Sequence, residues 1–346
     1  MELLKAIFMV LLALWRNTDV PEGMASRKTL KLISKINSDG PYIGLVVPNP
    51  FEMDPLLQSP SFKKDATTPH FDFSGRRFRF GKIGKKKVIV VMTGLSMLNA
   101  GITTQLLLSL FRVEGVVHFG VAGNANPSLQ IGDVTIPQFW AHTGLWNWQR
   151  FGDGPDDQLP LESNGDYTRA FGHLHFADFS NNTENEGPPN NLLNSVWYQP
   201  EEVFPIDGTP EVRQHAFWIP VNRHYFDVSK KLKDVKLERC LNSTSCLPRQ
   251  PVTTTVGRGT SANMFVDNAA YRAFLYSKFD ITPIDMESAA VGLVCLQQRI
   301  PFIALRSLSD LAGGGSSVTN EASMFAFLAA QNAVQAAVRF IQLLPA

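Results

Sequence analysis

Short apolar runs that stop at glycine, proline or small polar residues recur along the chain, and stretches with helical periodicity lie between them. The apolar runs are predicted as buried strands and cover residues 42–47, 87–92, 115–119 and 301–306. The stretches with helical spacing are predicted as helices and cover residues 98–111, 268–274, 287–298 and 321–343. Continuous apolar strands that alternate with helices are typical of parallel sheets covered on both faces, so the pattern indicates an α/β fold with a largely parallel sheet.

Residues 145–250 break this pattern. They are rich in proline, asparagine, glycine and aspartate, and their apolar positions have weak periodicity. We interpret them as a long insertion with irregular segments and a few short strands. A separate domain is the alternative, but the apolar periodicity of an independent core is missing. The main domain is therefore expected over residues 40–346, with the insertion at about residues 145–250.

Composition and charge narrow the function classes. The 346 residues are 44% hydrophobic and 18% charged, with a formal net charge of +1, so a globular fold without a nucleic-acid partner is expected. The chain has neither an HExxH helix nor paired CxxC motifs, and we predict no metal site. Its glycine turns match neither the dinucleotide fingerprint nor a P-loop, so we predict no organic cofactor.

Residues 1–25 are predicted as a signal peptide or an N-terminal apolar segment. An apolar stretch at residues 6–15 follows Lys5 and is too short to span a bilayer by itself. An amphipathic or buried N-terminal helix is the alternative. If the stretch is a signal peptide, the processed protein is expected to carry no stable membrane span.

Further residues agree with entry into the secretory pathway. Asn181 and Asn242 begin Asn-X-Thr glycosylation sequons. Cys240 and Cys246 lie six positions apart in a polar loop, a spacing that can close a small disulfide ring. Cys295 lies in a predicted apolar helix and is expected to be an inert buried thiol. We therefore predict an extracellular or vacuolar location.

Two acids carry the candidate chemistry. Glu287 starts a predicted apolar helix, and Asp310 follows a buried strand just before a glycine run. Ligands of open α/β sheets bind at the carboxyl ends of the strands, and two acids there suit cleavage of a glycosidic bond. Asp310 can protonate a leaving base, while Glu287 can hold the vicinal hydroxyls of a ribose. For each acid the alternative is a structural cap at a helix or turn.

Four ordered segments resemble the nucleoside phosphorylase family, which includes the methylthioadenosine and adenosylhomocysteine nucleosidases. These segments are residues 93–101, residues 118–123 with 132–134, residues 285–290 and residues 308–310. Residues 140–148 and 257–266 look typical of the plant branch of wound-inducible and bark or vegetative storage proteins. The resemblance implies a three-layer αβα fold with a mixed, largely parallel sheet.

The resemblance also implies roles for individual residues. Asp310 matches the acid that protonates purine N7, and Glu287 matches the residue that holds the ribose 2′-hydroxyl. Glu52 falls on the carboxylate that activates water in the nucleosidases. Further substrate contacts are expected from Met286 against the sugar, Phe265 stacked on the base, the backbone of Val266 at the base edge, and the turn or motif residues Thr93, Gly94, Gly123 and Ser309.

The chain departs from the phosphorylases at their phosphate-binding arginines. Its first loop, residues 48–55, has no arginine, and His118 stands at the position of the second one. A mostly neutral histidine does not reproduce the fixed charge and bidentate geometry of arginine. Arg258 or a residue of a neighbouring subunit is the remaining candidate for phosphate. These departures favour hydrolysis, or binding with little turnover, over phosphorolysis.

Taken with the family, these residues predict cleavage of a purine nucleoside, with an adenine or cytokinin-type base, by phosphate or by water. Inorganic phosphate is then a possible co-substrate, and a homo-oligomer is expected. The alternative is a secreted or vacuolar storage glycoprotein that binds a purine or a cytokinin with little or no turnover.

Overall fold

The computed structural model describes residues 26–149, 171–175, 195–314 and 321–345. The strands in these ranges are β1 Tyr42–Val47, β2 Phe62–Lys64, β3 His70–Phe73, β4 Arg76–Ile83, β5 Lys86–Met92, β6 Val113–Asn124, β7 Val134–His142, β8 Trp146–Trp148, β9 His173–His175, β10 Ser195–Tyr198, β11 Glu201–Val203, β12 Gln214–Ala216, β13 Ile219–Pro220, β14 Thr253–Ser261, β15 Ile281–Asp285 and β16 Phe302–Leu311. The α-helices are α1 Arg27–Asp39, α2 Pro50–Gln58, α3 Met97–Leu110, α4 Arg223–Ser229, α5 Ala269–Phe279, α6 Ser288–Gln297 and α7 Glu321–Leu343.

Within the described ranges, one 11-stranded sheet organises the fold. Its order is β13-β7-β14-β15-β6-β1-β5-β4-β2, with β16 paired to β6 and β7 and β3 paired to β4. The pairs β5–β1, β1–β6, β6–β16, β7–β14 and β14–β15 are parallel, whereas the outer hairpins are antiparallel. The predicted mixed, largely parallel sheet is confirmed.

Helices cover both faces of this sheet. One apolar cluster packs α2, α4 and α7 on one face, through residues such as Leu56, Val228 and Phe340. A second cluster packs α1, α3 and α6 on the other face, through residues such as Ile36 and Leu107. The three-layer αβα architecture is therefore confirmed, and it brings the carboxyl ends of β1, β6, β15 and β16 to one region.

The first and last predicted elements agree with the structure, and three others are longer than predicted: the strand predicted over residues 115–119 is Val113–Asn124, the helix predicted over residues 268–274 is Ala269–Phe279, and the strand predicted to end at Arg306 continues further. The first strand and the closing helix have the predicted bounds, Tyr42–Val47 and Glu321–Leu343. Strand β16, however, continues past Arg306 to Leu311, because its parallel pairing with β6 runs on through a register shift at Ser309. Asp310 consequently lies inside a strand and not beyond its end.

The segment predicted as an insertion contributes to several parts of the fold. Strands β8, β10 and β9 form a small sheet, and β11 pairs with β12. From β13 onward the chain joins the main sheet, and Tyr225 and Leu232 belong to the main core. These residues of the predicted insertion therefore help to build the central fold.

Cys240 and Cys246 form a disulfide, as predicted, and Cys295 is a buried free thiol. Asn242 is exposed within the ring that the disulfide closes. The predicted signal segment, residues 1–25, and the sequon at Asn181 lie outside the described residues. In the described part of the chain, residues Met324–Leu343 of α7 have the length and apolar composition of a membrane span, but this segment is mostly buried inside the protein.

Candidate active site

A cavity of about 270 Å³ opens at the carboxyl ends of the central strands. Four carboxylates line it, those of Glu52, Asp285, Glu287 and Asp310. Its walls include the apolar side chains of Phe51, Leu95, Met264, Phe265, Val266 and Met286. Among the described residues that line the cavity, none is lysine, arginine or histidine. The cavity thus combines apolar walls with four carboxyl groups.

Glu52 is placed by the first turn of α2. Asn49 caps this helix, because its Oδ1 accepts the backbone N–H of Glu52 at 3.2 Å. The buried Glu52 carboxylate accepts the N–H of Val121 through Oε1 at 2.6 Å. Its Oε2 has no hydrogen-bond partner within the described ranges. Burial raises the pKa of Glu52 to about 8, although Arg306 opposes this shift.

Gly120 allows this arrangement. A Cβ at this position would collide with Oε1 of Glu52 and Nη1 of Arg306. The glycine of the third-strand motif is therefore needed because two side chains approach the backbone closely.

Glu287 is the residue before α6, but its side chain makes no capping bond. Asp285 provides the cap, because its Oδ1 accepts the N–H groups of Glu287 and Ser288, both at 3.0 Å. The Glu287 carboxylate instead accepts the N–H of Ser96 at 3.0 Å. Burial raises the pKa of Glu287, and Arg306 opposes that shift. The structural alternative for Glu287, a helix cap, is therefore wrong.

Ser96 adopts an uncommon backbone conformation. Its φ is +94°, a value that residues other than glycine rarely adopt. This conformation directs the N–H of Ser96 to Glu287 at the start of α3. Such strain is commonly found at functional sites.

Arg306 is a fully buried cation that links three of the acids. Its Nε lies 2.7 Å from Oδ2 of Asp285. Its Nη2 lies 3.4 Å from Oε2 of Glu287, and its Nη1 lies 3.8 Å from Oε1 of Glu52. The guanidinium also donates to Val121 O at 3.2 Å and to Ser288 Oγ at 3.1 Å. Removing this cation would leave buried carboxylates without compensation, so Arg306 is central to the site.

Asp310 reaches the cavity through the irregularity in β16. Leu308 pairs with Ala122 and Asp310 pairs with Gly123, so Ser309 is an extra residue between them. Such a bulge changes the direction of the side chains around it, and both Ser309 and Asp310 line the cavity. The hydroxyl of Ser309 donates to Oδ1 of Asp310 at 2.6 Å. Because Asp310 lies within a strand, a helix cap does not explain it.

The structure brings together most of the predicted site residues. Glu52, Gly123, Phe265, Val266, Met286, Glu287, Ser309 and Asp310 all line the cavity. Phe265 is 66% exposed at the mouth, where a planar ligand would cover it. Val266 is buried behind it. A base that enters between this wall and Asp310 would therefore meet an aromatic face and an acid.

Other predicted residues are not part of the cavity wall. Thr93 is fully buried, and its hydroxyl donates to Gly94 O at 2.6 Å. Leu95, which follows Gly94, lines the cavity, whereas Thr93 and Gly94 do not. His118 lies beneath the site, where Nδ1 is 2.8 Å from Val46 O and Nε2 contacts Arg306.

Arg258 also lies away from the cavity. It stacks on Trp218 at 4.4 Å and donates to Phe279 O at 3.0 Å. It pairs with Ile281 at the start of β15, whereas Asp285 is at the end of that strand. Ile281 and Asp285 are four residues apart, and at about 3.3 Å per strand residue this distance is more than 10 Å. Neither His118 nor Arg258 is thus placed to bind a phosphate in this cavity.

The sequence interpretation missed Asp285, Ser96 and Arg306. A usable signal existed for Arg306, because a charged residue inside an apolar strand must be paired when it is buried. No group of three or more His, Cys, Asp and Glu side chains in the described ranges is arranged to hold a metal ion.

The chain is similar to characterised proteins over most of its length. It is 32% identical to bark storage protein A of Populus deltoides over 305 residues, which cover 88% of this chain and 89% of that protein. It is 26% identical over 245 residues to the 5'-methylthioadenosine/S-adenosylhomocysteine nucleosidase of Geobacillus sp. (strain WCH70), covering 70% and 76% of the two chains.

Solved structures share the fold at low sequence identity. The 5'-methylthioadenosine/S-adenosylhomocysteine nucleosidase of Helicobacter pylori matches with a TM-score of 0.58 at 19% identity, over 88% of this chain and 98% of that one. The futalosine hydrolase of the same organism matches with a TM-score of 0.57 at 20% identity, with the same coverage. The sequence profile of the Phosphorylase superfamily matches residues 42–342, and the chain belongs to this superfamily.

Proposed function

We propose that the protein cleaves the N-glycosidic bond of a purine nucleoside with an adenine-type base, and that water is the nucleophile. The observation that carries this proposal is the lining of the cavity, which has four carboxylates and, among its described residues, no positive side chain. Bond breaking gives the sugar an oxocarbenium-like positive charge, and carboxylates fixed nearby stabilise it.

Three of the four acids have separate roles in this proposal. Asp310, held by Ser309, protonates N7 of the leaving base. Glu287, held by Ser96 and Arg306, accepts the ribose 2′-hydroxyl, while Met286 packs against the sugar. Glu52 has one oxygen bound to Val121 and the other without a partner in the described ranges. That second oxygen is the acceptor for a proton from the attacking water.

Phosphate is a weaker candidate for the nucleophile. A phosphate dianion among these acidic groups would have no counter-charge, since no positive side chain lines the described part of the cavity. Arg306 is already engaged with Glu52, Asp285 and Glu287. Inorganic phosphate therefore remains a possible co-substrate only if a partner subunit supplies a cation.

The substrate class follows from the relatives and from the wall of the cavity. The Geobacillus relative is named as a nucleosidase of 5'-methylthioadenosine and S-adenosylhomocysteine. Both compounds carry adenine, which would stack on Phe265 in this chain. Adenosine and adenine-type cytokinin ribosides are the first substrates to test, and no organic cofactor or metal is needed for the proposed chemistry.

A storage glycoprotein that binds a purine without turnover is the second candidate. The 32% identity to bark storage protein A supports it. The Cys240–Cys246 disulfide and the exposed sequon at Asn242 fit a secreted or vacuolar protein. The predicted signal peptide would direct the chain there.

We also propose a homo-oligomer. Leu95, at the cavity just before α3, is 57% exposed, and Leu98 and Ile102, one turn apart on α3, are 70% and 48% exposed. A stripe of large apolar side chains at this spacing is typical of an interface between subunits. Sedimentation velocity of the wild type and of Leu98→Glu tests this, and a monomeric wild type would contradict it.

The first experiment measures release of free base from adenosine and isopentenyladenosine, with and without phosphate, on the glycosylated protein. Release without phosphate supports the hydrolase. Release that requires phosphate would show a phosphorylase instead. Saturable adenine binding without release would favour the storage protein.

A further inference from the structure

His118 is held at both ring nitrogens in the centre of the sheet. Nδ1 lies 2.8 Å from the carbonyl oxygen of Val46, and Nε2 contacts Nη2 of Arg306. A carbonyl oxygen only accepts, so Nδ1 carries the hydrogen, while a guanidinium only donates, so Nε2 is the acceptor. The two partners therefore select one neutral tautomer of the imidazole.

The surroundings also oppose protonation of this imidazole. His118 is fully buried, and an imidazolium would set a second N–H and a second positive charge against Arg306. Burial and the adjacent guanidinium lower the pKa of His118 well below its usual value. His118 is thus a permanent hydrogen-bond acceptor at neutral pH.

This acceptor shares one nitrogen of Arg306 with an acid. Nη2 contacts His118 and lies 3.4 Å from Oε2 of Glu287, which is longer than a strong charged hydrogen bond. Without the imidazole, Nη2 would be free to move onto Glu287. The guanidinium would then turn, and Nη1 would leave its place 3.8 Å from Glu52.

We propose that His118 is a positioning residue for hydrolysis: its unprotonated Nε2 orients Arg306, which in turn places the carboxylates of Glu52 and Glu287 at the cavity. This inference rests on the proposed function. His118 acts through Arg306, because it is not among the described residues that line the cavity. His118 stands at the position where related phosphorylases carry a phosphate-binding arginine. In this chain the residue at that position would instead help to hold the carboxylates of Glu52 and Glu287.

Two substitutions separate the two hydrogen bonds of the imidazole. In His118→Asn the amide nitrogen can replace Nδ1 and keep the bond to Val46, but nothing reaches Arg306. In His118→Gln the amide oxygen reaches as far as Nε2 and can accept from Arg306. Both variants remove the ring from the same buried position, so each is the control for the other.

The expected result is that His118→Gln keeps kcat for base release within about 3-fold of the wild type, while His118→Asn loses roughly 10- to 100-fold, as misplaced catalytic groups do. KM should change little in either variant. The rising limb of the pH–rate profile should move to higher pH in His118→Asn. The reason is that Glu52 faces one cation, Arg306, and two acids, Glu287 and Asp285. If Arg306 moved away, the pKa of Glu52 would rise further.

Equal kcat and equal pH profiles in the two variants would overturn the proposal, since a merely structural histidine predicts that outcome. If the wild type releases no base under any condition, the proposed function fails and this inference fails with it. If the wild type is active and His118→Asn is equally active, only this inference fails.

A second measurement does not depend on activity or on the folding of the variants. Nitrogen NMR of the wild type, labelled at its seven histidines, reports the tautomer and protonation of each ring. We expect the ring of His118 to be neutral with hydrogen on Nδ1 at pH 7. If no histidine ring has this form at pH 7, the proposal is wrong.

Discussion

Asp285 Oδ1 accepts the backbone N–H of Glu287 at 3.0 Å, so the residue two positions earlier supplies the helix cap that Glu287 would otherwise provide. This relationship leaves the Glu287 carboxylate available for Ser96 and Arg306 at the edge of the cavity. Ser261 Oγ, which accepts the N–H of Ala289 at 2.8 Å, completes the start of the helix. The carboxylate of Glu287 thus stands at a helix N-terminus without capping the helix.

Replacement of Glu52 by glutamine should remove the proposed general base. We expect kcat for base release to fall by roughly 10²- to 10⁴-fold, because the amide cannot accept a proton from water. Since the pKa of Glu52 is about 8 and the base must be ionised, the rate of the wild type should rise with pH up to that value. Glu202→Gln, at a half-exposed ion pair with Arg213, is the matched control. An unchanged rate in Glu52→Gln would refute the assignment.

The same carboxyl group should make stability depend on pH. Its folded pKa of about 8 is above its ordinary value of 4.5, so its favourable contribution is complete below 4.5 and is lost as the pH rises through 8. The free energy of unfolding of the wild type should therefore fall relative to that of Glu52→Gln between pH 5 and pH 9. Urea unfolding at several pH values measures this difference. Parallel pH dependences in the two proteins would show that Glu52 is ionised in the fold at neutral pH.

Asp310→Asn should separate turnover from binding. The amide cannot donate the proton that the leaving base needs, so base release should become undetectable, while adenine binding measured by calorimetry should change by only a few-fold. Ser309→Ala removes the donor to Oδ1 and should cost about 10-fold in kcat, because the acid remains but is less well held. Surviving turnover in Asp310→Asn would mean that another group protonates the base.

The sequence predicted the layers of the fold well because buried elements have strong patterns. Continuous apolar residues defined Tyr42–Val47, and helical spacing defined Glu321–Leu343, with the bounds that the structure shows. For these two elements the signal is local, so no knowledge of the tertiary contacts was required. The resemblance to the family, and not a local signal, assigned Asp310, Glu287 and Glu52 to one site.

The errors concern relationships between distant segments. Arg258 was a phosphate candidate because only strand register shows that it lies at the opposite end of β15 from Asp285. The strand that carries Asp310 was predicted to end at Arg306, because its pairing with β6 and the bulge at Ser309 are invisible in one sequence. The partners of Arg306 lie between 18 positions away, for Ser288, and 254 positions away, for Glu52.

Arg272 connects helix α5 to the residues that follow β16, the strand that carries Asp310. It lies in α5, four residues after the cap Asn268, and its Nη1 donates to Ala312 O at 2.7 Å and to Gly314 O at 2.8 Å. Gly313 has a φ of +81°, and a Cβ there would collide with the backbone of Asn268 and Ala269. The two segments are therefore fixed against each other just beyond Phe265 and Asp310.

Arg272→Leu should loosen this connection without touching the substrate. We expect kcat/KM to fall by about 10-fold, mainly through a higher KM, because the base would be held less well between the two segments. Low millimolar guanidinium ion should restore part of the activity by donating to the freed carbonyl groups of Ala312 and Gly314. Arg299→Leu, which removes an exposed ion pair with Asp207, should leave kcat/KM unchanged and should not respond to guanidinium. Equal behaviour of the two variants would show that Arg272 contributes nothing specific to the site.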